Sequence, residues 1–127
     1  MIKAKTISIR VPPQSIPSEQ AALGSIMLRK DAMHEVEDII NPDSFYVEKN
    51  KIIFRAMLDL SLKNEPIDML SLSTKLSEQK VLERIGGNQY LAELVSVVPS
   101  STNVKHYAEI VQKKYVLRSL IEAADYV

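Results

Sequence analysis

Apolar side chains recur along this chain at three- and four-residue intervals, the spacing of one helix face after another. Ser15 is placed to cap a first helix, with Pro17 tolerated in its opening turn and Ile16, Leu23, Ile26 and Met27 in helical register. Gly24 within it marks a close approach by another backbone, at a cost of ~1 kcal/mol against Ala. Asp31 is placed to cap a second, shorter helix with Met33, Val36, Ile39 and Ile40 inward, which Asn41-Pro42 stops. Residues 42–46 read as one helical turn that delivers Phe45 to the core. A longer helix spans about 48–63. Its inward stripe is Ile53, Phe54, Met57, Leu58 and Leu60, with Lys49, Lys51, Arg55 and Asp59 toward water, and Asn64-Glu65-Pro66 ends it. Asp68 caps the next helix, where Ile67 and Leu72 can form a hydrophobic staple and Met69, Leu72 and Leu76 face inward. Residues 81–85 form a short turn closed by Gly86-Gly87, a helix end that needs positive φ. Tyr90, Leu91, Leu94 and Val95 mark another short helix, and Ser100, Ser101 and Thr102 offer caps for the last one. The reading is all-α: a small multi-helix globular domain over residues 14–100, then a long helix over 101–127.

That last helix carries the most unusual pattern. At about 100° per residue, Val104, Tyr107, Ala108, Ile110, Val111 and Tyr115 share one side, and Lys105, His106, Glu109, Gln112 and Lys113 fill the other. Past Tyr115 the apolar side swings round. Val116, Leu117, Leu120, Ile121, Ala123 and Ala124 occupy the direction that was charged one or two turns earlier, while Glu122 and Asp125 take the place of the first stripe. A helix packed on one globule keeps one apolar face. A helix that changes face has two neighbours, its own domain and then a second surface.

Composition narrows the function. The chain has 127 residues, 46% of them apolar, enough for one unstapled core. With 16 basic and 16 acidic residues the net charge is zero, which argues against non-specific phosphate binding as the main task. There is no Cys, so thiolate zinc sites, disulfide frameworks and Cys nucleophiles are excluded together, and a cytoplasmic protein is expected. No run approaches the ~20 apolar residues needed to span a bilayer. Residues 1–13, MIKAKTISIRVPP, lack the apolar block of a signal peptide. They read as a flexible tail closed by Pro12-Pro13, the alternative being a short strand of Ile7, Ile9 and Val11.

Catalytic chemistry is scarce. His34 and His106 lie on polar helix faces without a second ligand nearby, no carboxylate pair sits in an apolar setting, and Ser100-Ser101-Thr102 reads as a cap cluster. Gly86-Gly87 lacks the Lys-Ser/Thr and the preceding strand of a phosphate loop. No catalytic, cofactor-binding or metal residue is assigned. Two features suit binding instead. Tyr90 and Tyr107 are amphipathic, fitting either a half-wet interface or a core with the hydroxyl at its rim. Lys113, Lys114 and Arg118 make a small basic strip, either a solvated face or a phosphate contact.

In order along the chain stand PPQSIPSEQAALGSIML, IIFRAMLDLSLKNEPIDMLSLSTKL, IGGNQYLAEL and VPSSTNVKHYAEIVQKKYVLRSLI. Together, over residues 12–121, they resemble the N-terminal domain of the bacterial replicative DNA helicases, the DnaB family. The resemblance implies a non-catalytic collar domain: a helical globule followed by a long helical hairpin, of which residues 101–127 would be a truncated first arm. In that family the full protein is a hexameric ring. A RecA-like C-terminal domain, which uses ATP and Mg, moves along DNA, and the hairpins pair subunits into a trimer of dimers. The collar docks the C-terminal domain of a DnaG-type primase and, in some systems, a helicase loader. This chain has no GxxxxGK[ST] motif, so helicase activity is not expected of it. Around Pro17 and Ser18, where many family members are acidic, Glu19 alone is acidic here. The residues carried over as dimer or partner contacts are Tyr90 from YLAEL, Leu117, Leu120 and Ile121 from VLRSLI, and Ala124 beside them. Direct DNA contact is expected to be weak, and no membrane contact is expected; a nucleic-acid-binding or regulatory adaptor domain is the alternative function.

Overall fold

The computed structural model describes residues 11–126. The expected tail, and the alternative strand of Ile7 and Ile9, fall mainly outside these residues. The described part contains six α-helices: α1 (Ile16–Leu28), α2 (Ala32–Val36), α3 (Glu48–Leu62), α4 (Met69–Glu78), α5 (Gly87–Ser96) and α6 (Val104–Tyr126). Short 3-10 turns at Pro42–Ser44 and Ser101–Asn103 precede α3 and α6. No strand occurs among the described residues, as the helical periodicity implied.

Helix α1 is the axis of the fold. Every residue of 21–27 is buried, as in a helix surrounded by protein rather than one lying on a surface. It packs against α3, α5 and α6. Gly24 makes this possible. A Cβ there would overlap the Leu94 carbonyl oxygen and Val98 Cγ2, so the α1–α5 approach requires a residue without a side chain. The core joins Leu23, Ile26, Phe45, Phe54, Met57, Leu72, Leu76, Leu91 and Leu94. Phe45 reaches it from the 3-10 turn, with its ring centroid 5.2 Å from that of Phe54.

Three helical turns end in the same way. The amides of Glu65 and Asn64 bond the carbonyls of Leu60 and Ser61, those of Val81 and Lys80 the carbonyls of Leu76 and Ser77, and those of Gly87 and Gly86 the carbonyls of Leu82 and Glu83. Each is a Schellman closure with a left-handed residue at its corner. Those residues are Asn64 (φ 57°), Lys80 (φ 62°) and Gly86 (φ 105°). The glycine was expected there; the lysine carries no such signal.

Some local expectations change. Ser15 and Asp68 cap as expected, accepting from the amides of Ser18 and Ser71. Asp31 does not: its backbone is already helical (φ −89°, ψ −2°) and its side chain makes no cap bond. Ser100 points its hydroxyl at Thr102 instead of at an amide. Ile16 and Met69 are exposed, because each is the first residue of its helix and precedes the turns that the core covers.

Candidate assembly surface

Helix α6 is anchored by its first half. Val104, Ala108 and Val111 are buried in the main core, and Tyr107 packs on Ala21 and Ala22 of α1. The Tyr107 hydroxyl donates to the Ser100 carbonyl at 3.1 Å, and Arg29 Nε donates to that of Ser101 at 3.2 Å, fixing the entry to the helix. Helix α6 has no internal Pro or Gly, so nothing in its sequence breaks it as it runs on past the globule.

Beyond Tyr115 every residue through Asp125 except Arg118 is exposed. Val116 is 44% exposed, Leu117 38%, Leu120 61% and Ile121 49%, and Ala123 and Ala124 are exposed as well. Four large apolar side chains within six residues form a contiguous exposed face, of a kind that marks interaction sites. Leu117, Leu120, Ile121 and Ala124 are therefore all exposed, with Ile121 also at the edge of a groove that it shares with Pro12, Pro13 and Tyr46.

Tyr90 does not join them. It is 5% exposed and faces inward from α5 beside Leu91 and Leu94, which corrects its expected placement as a partner contact. Its hydroxyl donates to Asn50 Oδ1 at 2.6 Å and accepts from Gln20 Nε2 at 3.4 Å, and Lys49 Nζ lies 3.8 Å from the ring centroid. Burial, which penalises the phenolate, raises the Tyr90 pKa above its ordinary value of 10.0.

The same network holds Glu19, the one acidic residue beside Pro17 and Ser18. Glu19 is 1% exposed. Its carboxylate accepts from the amides of Tyr46 at 2.7 Å and Val47 at 3.3 Å, and from Asn50 Nδ2 at 2.9 Å. Val47 is the N-cap of α3 and makes no side-chain cap bond of its own. Glu19 thus caps α3 from a different helix, where a negative charge also meets the positive end of the helix dipole. Its only sequence signal is a lone charge at the head of the apolar run AALGSIML.

The basic strip also changes. Arg118 Nη1 donates to the Pro13 carbonyl at 2.8 Å and Nη2 to the Ser44 carbonyl at 2.9 Å. Its guanidinium lies 5.4 Å from the Tyr46 ring centroid and 5.8 Å from that of Tyr115. Only Lys113 and Lys114 of the strip are left for solvent or phosphate. His34 pairs with Glu37 at 3.2 Å, and His106 is exposed next to Tyr107. Among the described residues no group of three His, Cys, Asp or Glu is placed to hold a metal, and no helix is long and apolar enough to cross a membrane.

A family model described as DnaB-like helicase N terminal domain matches residues 11–113. The chain belongs to that family. It is 42% identical to the replicative DNA helicase DnaB of Geobacillus stearothermophilus, over 95% of this chain and 27% of the relative. It is 39% identical to the replicative DNA helicase DnaC of Bacillus subtilis (strain 168), over 91% of this chain and 25% of the relative. The chain thus spans about a quarter of the length of these curated relatives. Among solved structures, the N-terminal domain of DnaB helicase from Mycobacterium tuberculosis superposes with a TM-score of 0.89 at 39% identity, covering 91% of this chain and 84% of that one. A DnaB-like replicative helicase described with its interactions with primase gives 0.79 at 30% identity, over 88% of this chain and 26% of that one. The family's helical fold is the one found here, and the family match ends at residue 113, two residues before the apolar face turns outward.

Proposed function

We propose that this domain is a non-catalytic assembly and docking module of a replicative DNA helicase. In this reading the face of Leu117, Leu120, Ile121 and Ala124 is covered by a returning helical arm and a second subunit, and the domain docks the C-terminal domain of a primase. The carrying observation is the exposure of Val116, Leu117, Leu120 and Ile121 on a helix whose first half is buried. The DnaB-like helicase described with its interactions with primase supports the docking partner. Pairing of subunits into a larger ring, contact with a helicase loader, and the ATP and Mg chemistry of a separate motor domain belong to the same proposal.

Sedimentation equilibrium of the chain beside Leu120→Asp, repeated on a chain lengthened through a second helical arm, tests assembly. Burying a charge at an apolar contact should weaken self-association by about 2 kcal/mol in total, roughly 30-fold. Titration with an isolated primase C-terminal domain tests docking. If both lengths stay monomeric at high concentration and neither binds the primase domain, the proposal fails. A nucleic-acid role has little support, because Arg118 is engaged internally and the net charge is zero. A steeply salt-dependent affinity for single- or double-stranded DNA would revive it.

A further inference from the structure

Among the described residues, Arg118 makes the last side-chain hydrogen bonds from α6 to the globule. Among residues 116–125 it alone is not exposed. Its two amino groups reach carbonyls that lie 105 and 74 residues away in sequence, on the segment entering α1 and on the turn before α3. Those partners are neutral. Arg118 forms no ion pair among the described residues, although Glu122 stands one turn further along the same helix face. The guanidinium instead lies near Tyr46 and Tyr115, within the range of cation–π attraction. It also lines a groove of about 710 Å³ together with Pro12, Pro13, Phe45, Tyr46 and Ile121, so that side of the far helix has little else beneath it.

We propose that Arg118 is a latch: by clasping the Pro13 and Ser44 carbonyls it sets the direction in which the far half of α6 leaves the globule. Residues 116–126 project about 16 Å at 1.5 Å per residue, and the nearest fully buried anchor behind them is Val111. A small change of angle at the latch is therefore magnified at Leu120 and Ile121. A planar fork with several donors can bridge two carbonyls at once, whereas a lysine ammonium, compact and strongly hydrated, has no fixed geometry for doing so. Arg118 is thus a positioning residue for the exposed face. The inference goes beyond the proposed docking role and is tested without reference to any partner.

The chain contains no Cys, so two spin labels can be placed cleanly, at the exposed positions Lys63 on the globule and Ala123 on α6. Double electron–electron resonance, with labelled chain diluted into excess unlabelled chain, reads the intramolecular distance alone. A single narrow distribution is expected with Arg118 present. It should become broad or displaced in Arg118→Ala and intermediate in Arg118→Lys, while Arg55→Ala, an exposed arginine on α3, leaves it unchanged. Far-UV circular dichroism accompanies each variant, and Arg118→Lys carries the test if Arg118→Ala loses its fold. Distributions for Arg118→Ala and Arg118→Lys that superimpose on the parent would overturn the latch, as would equal broadening in Arg55→Ala. Either result leaves the self-association experiment unaffected.

Discussion

Glu19 shows how much one buried charge can organise. Three donors converge on its carboxylate, and two of them are amides at the open end of α3. Glu19→Ala would leave those donors without a partner, and an unsatisfied buried donor costs ~1–3 kcal/mol. A loss of about 3 kcal/mol or more is expected in urea unfolding, with little change in slope. Tyr90→Phe should cost about 1–2 kcal/mol, because Asn50 Oδ1 loses its hydroxyl donor. Tyr90 also gives a pH dependence. Its folded pKa is raised, chiefly by burial, so above pH 10 the unfolded chain releases the proton first. The contribution is constant below about pH 10 and is lost as pH rises from there through the folded pKa. Melts of wild type and Tyr90→Phe between pH 8 and 11 (roughly the window around an ordinary tyrosine pKa) should show the steeper alkaline decline in wild type. The Glu19 network was not legible in the sequence, although a core placement for Tyr90 was one of its two readings. The partners of Glu19 lie 27 to 31 residues away, and local periodicity says nothing about contacts at that separation.

Helices were legible wherever a period and a punctuation signal coincide. The 48–63 reading differs from the observed Glu48–Leu62 by one residue, since Asn64-Glu65-Pro66 announces the stop. Gly24 was legible too, as a packing residue in a helix. Its expected test is Gly24→Ala: the added methyl meets the Leu94 carbonyl and Val98, so a net loss of about 1–3 kcal/mol should outweigh the better helix propensity of Ala. Other boundaries were hidden because backbone geometry rather than residue type decides them. Lys80 adopts the left-handed corner that Gly fills at position 86, because the Schellman bonds around it impose that conformation. Lys80→Gly should therefore be neutral or stabilise by up to about 1 kcal/mol, read as a raised urea midpoint. At Asp31 a good capping residue stands at a position whose backbone is already helical, so the side chain has nothing to cap.

At the scale of the molecule, two halves of α6 do different things. The first half belongs to the core around α1; the second projects an apolar face beyond it. That division was readable from the change of register at Tyr115, because a reversal of face on an unbroken helix has few physical causes. The assignment of individual contact residues was less readable. Leu117, Leu120, Ile121 and Ala124 are exposed together, whereas Tyr90, carried over as a partner contact from YLAEL, is held inside by Asn50 and Gln20. An aromatic with a polar tip fits a buried hydrogen-bond network as well as an interface, and sequence alone does not separate the two.

The central claim is that the side chains past Tyr115 await a surface outside the described globule. Methyl NMR reads this directly, by following the Leu117, Leu120 and Ile121 methyl signals with increasing concentration, in this chain and in one lengthened through a second arm. These three should shift or broaden and show contacts with the added arm or a second chain, while the core methyls of Leu72, Leu76 and Leu91 stay fixed. Signals that are concentration-independent in both chains, with no contact to arm or neighbour, would contradict it.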